Sequence, residues 1–283
     1  MMITFKYIYI IFEYIKVNNN SNNNIKINLH YIILFKKIIM ESNSMSEYPN
    51  VSVLTPTYNR KQFTELCIFN LKNQEYPLEK LEWFILDDSD KPCSKDELKH
   101  IQDSIKPIKL KYVYEKVKQE IGTKRNKLVK HASYKTVIMM DDDDIYQPTY
   151  VKRSIDTMTE KGVKCVGSNQ MIFYHQSKPD QRLTIIRCQA KRQIHEATLC
   201  FTKKYFNSMC GFKKNSQGEG VGLIDFNDKN IENIPIDELM VCIVHKGQTL
   251  SKEPFYEYTQ HVQPYINREV LKDHGELIDK LDI

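Results

Sequence analysis

From Val51 onward, short apolar runs alternate with amphipathic stretches, a rhythm that predicts strands and helices in turn. Val51-Ser52-Val53-Leu54 reads as a strand stopped by Thr55-Pro56-Thr57. Trp83 to Leu86 reads as a second, closed by Asp87-Asp88-Ser89-Asp90, and Leu110 to Tyr114 as a third. Val137 to Met140 is the fourth, and it runs straight into four carboxylates, Asp141 to Asp144. Between the strands, Phe63 to Asn73 gathers Phe63, Leu66, Cys67, Phe69, Asn70 and Leu71 on one side of a helix. Gly122 to His131 and Pro148 to Thr159 are two more helices, the latter with proline in its favoured first turn. Strands alternating with helices imply βαβ units and a parallel sheet, an α/β fold.

After Gly162 the pattern loosens. Cys165-Val166, Met171 to Tyr174, Leu183 to Cys188, Thr198 to Thr202 and Leu239 to Val244 read as strands. A short helix is expected near Tyr205, a glycine-rich loop over 211–222 and a helical tail from Pro264. Residues 1–45 differ: two apolar patches broken by charge flank the polar tract Asn18 to Asn24, which cannot build a core. This stretch is expected to be a poorly ordered extension, or a weak anchor at a membrane surface. The expected division is thus 1–45 and a domain over 46–283, the latter with an alternating half over 46–150 and a mixed half over 151–283.

Composition changes little. Over 283 residues, 41% apolar and 27% charged residues are ordinary for a globular chain. A balance of +5 is too weak to argue for nucleic acid, and none is expected as a partner. Seven cysteines, odd in number and without a C-x-x-C pair, fit a reduced, soluble cytoplasmic chain.

The polar strand ends change the picture most. In a parallel sheet, Thr55 to Tyr58, Asp87-Asp88 and Asp141 to Asp144 fall along one edge, where ligands of open α/β sheets bind. Asp141 and Asp143 alternate along an extended segment and can face one side. Mg²⁺ and Mn²⁺ take oxygen ligands, typically one or two carboxylates plus phosphate oxygens. An EF-hand loop counted from Asp141 would need glycine and glutamate where Tyr146 and Lys152 stand, so that reading fails. A solvated acidic turn remains the plain alternative. No phosphate-binding P-loop, dinucleotide fingerprint or nucleophile elbow is present, and His195-Glu196 lacks the second histidine of a zinc motif.

Four stretches together resemble the inverting family 2 of nucleotide-sugar glycosyltransferases with the GT-A fold. Val51 to Arg60 is similar to that family's V-S-V-x-x-P-T-Y-N-R start, and Ile85 to Asp90 to its V-D-D-G-S-x-D uridine site without the glycine. Gly122-Thr123-Lys124-Arg125-Asn126 is similar to its G-x-x-x-R-N turn, and Met140 to Pro148 to its L-D-x-D-D-x-x-x-P. The resemblance implies a GT-A-like (Rossmann-like) mixed, mostly parallel sheet with helices on both faces. It also implies a metal-dependent transfer, with inversion, from a nucleotide sugar (a UDP-sugar favoured) to a glycan, protein or lipid hydroxyl.

By the same resemblance Asp143 ligates Mn²⁺ or Mg²⁺, with Asp141 as its partner toward ribose. Asp142, between them, is expected to be the most cheaply replaced. Thr55, Pro56, Thr57 and Tyr58 would face the base, and Asp87 or Asp88 would accept its N–H. Arg125 offers a fork suited to phosphate. Glu219 stands where the family places its catalytic base, with Asp225 and Asp237 as fallbacks, although the family's Glu-Asp pair is missing. Val244 to Thr249 is similar to a late H-G-x-N-T segment, which makes His245 a third metal candidate. A nucleotide-sugar-binding pseudoenzyme and a nucleotidyltransferase on a related sheet are the rival readings. Membrane contact is expected only through residues 1–45.

Overall fold

The computed structural model describes residues 48–190, 193–224 and 229–281. By internal contacts the chain divides into Met1–Tyr48 and Pro49–Ile283. The extension read over 1–45 lies outside the described residues, as does Asp225. Among the described residues no helix is long and apolar enough to cross a membrane.

In chain order the strands are β1 (Val51–Thr57), β2 (Leu81–Asp87), β3 (Lys109–Tyr114), β4 (Thr136–Met139), β5 (Asp144–Tyr146) and β6 (Cys165–Gly167). They continue with β7 (Gln170–Tyr174), β8 (Leu183–Arg187), β9 (Cys200–Thr202), β10 (Ile231–Asn233), β11 (Met240–Ile243) and β12 (Val262–Pro264). The helices are α1 (Thr64–Lys72), α2 (Lys95–Ile105), α3 (Ile121–His131), α4 (Tyr150–Lys161), α5 (Lys203–Ser208) and α6 (Gly275–Ile278).

The expected parallel half is present: β4, β1, β2 and β3 lie side by side and parallel. Their registers set Thr57 beside Asp87, and Leu54 beside Met139. The three polar strand ends therefore share one edge. Antiparallel β9 joins the other side of β4, followed by β6 and β10. Under α3 the core is built from Leu54, Phe84, Leu86, Val137, Met139 and Phe201, among others. Each such side chain, fully buried, contributes about 1.5–3 kcal/mol of transfer free energy.

Instead of a single sheet, the described residues make two. The order β12-β8-β7-β11-β5 forms the second, and β5 enters it directly from the acidic run, antiparallel to β11. β5 is too short for alternation to reveal, and its backbone is gripped from α1. Asn70 Nδ2 donates to Asp144 O at 2.8 Å, and Asn70 Oδ1 accepts from Tyr146 N at 3.0 Å. Helix α2 also escaped the apolar pattern because its exposed face is almost wholly charged. Its signal was the capping box: Ser94 Oγ accepts from Glu97 N, and Glu97 accepts from Ser94 N. The tail begins as β12 and continues through a 3₁₀ stretch, Arg268–His274, rather than as one helix.

Candidate active site

At the end of β1 the chain leaves the sheet through Tyr58 and Asn59. Asn59 has a left-handed backbone (φ 53°), a conformation that Asn tolerates better than most residues. Its side chain trades hydrogen bonds with Asp90, at 2.9 and 3.0 Å, which fixes the β1 and β2 ends together. Tyr58 is half-buried, with the Lys118 ammonium 3.9 Å from its ring centre. Pro56 stays inside the sheet opposite Leu86. The Thr55 hydroxyl is committed to the fold: it donates to Met140 O at 2.7 Å and accepts from Trp83 Nε1 at 2.9 Å.

The two aspartates ending β2 are separated in role by their neighbours. Asp88 is buried, and its oxygens take Lys124 Nζ and Gln119 N, both at 2.7 Å. Lys124 also donates to Thr57 O at 3.0 Å, so this ion pair knits α3 to two strand ends. Asp87 accepts from Ser89 N at 2.8 Å and Tyr112 Oη at 2.6 Å, and it lines a cleft of ≈ 40 Å³ with Thr57, Arg60 and Asp142.

The acidic run is no solvated turn. Asp142, Asp143 and Asp144 are buried, and only Asp141 is half-exposed. Arg60 Nη1 lies 2.9 Å from Asp142 Oδ1 and 2.8 Å from Asp143 Oδ2, while its Nη2 donates to Gly247 O at 3.1 Å. Burial pushes the Asp142 carboxyl up to about 6 against the pull of Arg60. Asp142, expected to be the most cheaply replaced of the run, is thus buried and ion-paired like its neighbour Asp143. Asp143 is held below the usual range: its burial works the other way, but His245 and Arg60 outweigh it. His245 Nε2 sits 2.9 Å from Asp143 Oδ2, and His245 Nδ1 accepts from Gly247 N at 3.1 Å. The latter bond places the ring proton on Nε2, facing the carboxylate.

Asp141 turns the other way. Its Oδ2 meets Arg125 Nη2 at 3.0 Å, and Arg125 Nε lies 3.2 Å from Glu219 Oε1. Arg125, expected as a phosphate fork, thus links the first aspartate of the run to the candidate base, both on one cavity of ≈ 170 Å³. Glu219 opens a 3₁₀ turn, Glu219–Gly222, inside the stretch expected as a loop. It is buried, and burial raises its carboxyl above the ordinary value despite Arg125. Gly122 explains the glycine of the G-x-x-x-R-N turn. A Cβ there would stand 1.8 Å from Lys213 O and 2.9 Å from Glu219 Cβ, so only glycine lets α3 approach this turn. Asp237 lies elsewhere, exposed and hydrogen-bonded to Tyr265.

Among the described residues no group of three or more His, Cys, Asp or Glu side chains is gathered around a common point fit for a metal ion. The structure brings Asp143 and His245 together and leaves Asp141 with Arg125. The donor chemistry nevertheless suits a divalent cation: the Asp143 carboxylate and the buried, unpartnered Asp141 Oδ1 lie on the same cavity, while both nitrogens of His245 are taken up by Asp143 and Gly247. Arg60 and the turn carrying His195 and Glu196 were not assigned to this site from sequence. Arg60 had a signal, since it closes the opening strand motif.

Known proteins share both the sequence pattern and the fold. TuaG of Bacillus subtilis, a putative teichuronic acid biosynthesis glycosyltransferase, is 28% identical over 115 residues, 40% of this chain and 43% of TuaG. Glycosyltransferase AglE of Haloferax volcanii is 25% identical over 129 residues, 46% of this chain and 42% of AglE. The chain therefore matches less than half the length of either relative. Among solved structures, the mannosyltransferase PcManGT from Pyrobaculum calidifontis, in complex with GDP-Man and Mn²⁺, superposes with a TM-score of 0.54 at 17% identity. That match covers 72% of this chain and 59% of PcManGT. S. aureus TarS in complex with UDP-GlcNAc gives 0.53 at 17% identity, covering 83% of this chain and 68% of the other. These likenesses establish the GT-A fold. Residues 52–218, more than half of the chain, match the profile of Glycosyl transferase family 2, and the chain belongs to that family.

Proposed function

We propose that this chain transfers a sugar from a nucleotide sugar, a UDP-sugar in our reading, to an acceptor hydroxyl with inversion at the anomeric carbon. The observation that carries the reading is the Asp141–Arg125–Glu219 chain of ion pairs on one cavity. It sets a carboxylate of raised basicity beside the edge where a donor diphosphate would lie. Glu219 takes the proton of the acceptor hydroxyl as that oxygen bonds to the anomeric carbon from the face opposite the leaving group. The bond from that carbon to the phosphate oxygen breaks, and the nucleoside diphosphate leaves with the electron pair. Arg125 holds Glu219 in place and, with Lys118 and Lys124 nearby on the same edge, favours an anionic donor.

Asp143 and Asp141 would hold Mn²⁺ or Mg²⁺, which supplies neutralising charge to the departing diphosphate, and His245, expected as a third ligand, instead orients Asp143 through its Nε2–H. The Mn²⁺ bound with GDP-Man in PcManGT supports a divalent ion, and the UDP-GlcNAc in TarS supports a UDP-sugar. For the base, Asp87 is preferred to Asp88 because it lines the cleft with Thr55 and Thr57, whereas Asp88 is buried in its ion pair with Lys124. The test is Glu219→Gln. Transfer from UDP-GlcNAc, UDP-glucose or GDP-mannose should fall about 10²–10⁴-fold in kcat while the nucleoside diphosphate still binds. Native turnover in that variant overturns the assignment, and retention of anomeric configuration, read by proton NMR of the product, overturns the inversion.

A further inference from the structure

One buried polar group on the cavity has no use in the chemistry above. His195 lines the cavity shared by Arg125, Asp141 and Glu219, and its Nε2 is buried without a hydrogen-bond partner. A buried, unpaired polar atom costs about 1–3 kcal/mol, so such atoms in a native fold ask for a ligand or a reason. Arg125 Nη1, Asp141 Oδ1 and Asp144 Oδ1 on the same walls are unpaired as well. One cavity thus presents nitrogen donors and oxygen acceptors together, which is the complement of a polyhydroxylated ring rather than of an apolar or a purely anionic group.

The direction of His195 is fixed by its backbone. His195 N donates to Ser168 O at 2.9 Å, and His195 O accepts from Thr198 N at 3.0 Å and from Thr198 Oγ1 at 2.8 Å. The turn docks on Gly167, where a Cβ would stand 2.5 Å from Ile194 Cγ2 and 2.8 Å from Thr198 Oγ1. Tyr146 then ties this turn to the acidic run. Its hydroxyl accepts from Asp141 N at 2.8 Å and donates to Ala197 O at 3.1 Å. Next to it, Glu196 Oε1 accepts from Gly220 N at 3.0 Å, which anchors the Glu219 turn to the same segment. Burial holds the His195 ring neutral, with its pKa lowered to about 4. A neutral imidazole offers one donor and one acceptor, the pair a hydroxyl group matches.

We propose that His195 is a specificity-determining residue of this transferase, reading one hydroxyl of the sugar ring seated in the cavity through its unpartnered Nε2. The inference rests on the glycosyltransferase reading and adds the residue that selects among sugars. A site built to hydrogen-bond a hydroxyl discriminates strongly against a ligand that lacks it.

The experiment compares the native chain with His195→Phe and His195→Asn on UDP-glucose, UDP-GlcNAc and GDP-mannose and on monodeoxy analogues of whichever is turned over. UDP or GDP binding, by calorimetry, controls for folding and for the nucleotide site. His195→Phe should leave that binding within about twofold and lower kcat/KM for the full donor about 10-fold or more. It should also abolish the native preference over one particular deoxy donor, and His195→Asn should restore part of that preference. Unchanged discrimination in His195→Phe overturns the role of His195 while leaving the transferase reading intact. Loss of nucleotide binding in parallel with turnover, in both variants, overturns it in favour of a structural role. Failure of the native chain to turn over any nucleotide sugar overturns the reading and the inference together.

Discussion

Arg60 shows how one side chain recasts a motif. In sequence it closes the opening strand pattern; in the fold it clamps Asp142, Asp143 and Gly247 O. Asp142→Ala is therefore expected to lower stability by about 1–3 kcal/mol, less than for a fully isolated buried pair because Arg60 keeps Asp143. A denaturant titration measures it, and a change within error would mean that the pair contributes nothing net. At His274 the expectation is a pH effect. Its Nε2 meets Asn70 Oδ1 at 3.0 Å, and burial lowers its pKa from 6.5 to about 4. The folded ring stays neutral where the unfolded one binds a proton. Its contribution is thus complete above pH 6.5 and is lost as pH falls from 6.5 toward 4, on the order of 3 kcal/mol in all. His274→Gln should flatten stability across that window, and an unaltered slope would reassign the effect. Glu219 carries the opposite kind of shift. A carboxylate base with a raised pKa puts the acid limb of kcat/KM above pH 4.5, and an acid limb at or below that value would speak against it.

At the scale of elements, the parallel half was legible because β1, β2 and β4 are continuous apolar runs ending in polar residues, and the registers gather those ends as the pattern implies. Of the second sheet, β7, β8 and β11 were legible as strands, but their grouping apart from the first sheet, and β5 and β12, were not. β5 is only Asp144–Tyr146, and its partners are distant in sequence, so only tertiary contacts from Asn70 and β11 define it. The chemistry was legible by residue type but not by pairing: Asp141, Arg125 and Glu219 stood out separately, while their ion-pair chain depends on how closely α3 packs against the Glu219 turn. That packing gives a further expectation. Alanine favours a helix interior over glycine by about 1 kcal/mol, yet Gly122→Ala must displace Lys213 and Glu219. Turnover should drop by about 10²-fold, since displacements near 1 Å in a catalytic group carry that effect, with nucleotide binding at the β1–β2 edge retained. A fully active Gly122→Ala chain would show that the Glu219 turn adapts freely.

At the scale of the molecule, the chain passes from one sheet to the other between β4 and β5, so the acidic run, the candidate ligand edge, is also the seam of the fold. This is why three of its four carboxylates can be buried at all: Arg60, His245 and Cys242 face them from three separate segments, while Asn70 holds the backbone of the run. Addition of a chelator should abolish turnover, and Mn²⁺ should restore it in the native chain but not in Asp143→Ala. Restoration in that variant would move the cation elsewhere.

The Tyr146 hydroxyl has an outcome for how this enzyme can change. One phenol oxygen is the common datum from which both the Asp141 backbone and the His195 turn are measured. With the roles proposed for Asp141 and His195, donor activation and sugar choice become mechanically correlated traits. A shift at Tyr146 moves both, so new selectivity is more freely gained by altering the His195 imidazole itself than by repacking beneath it.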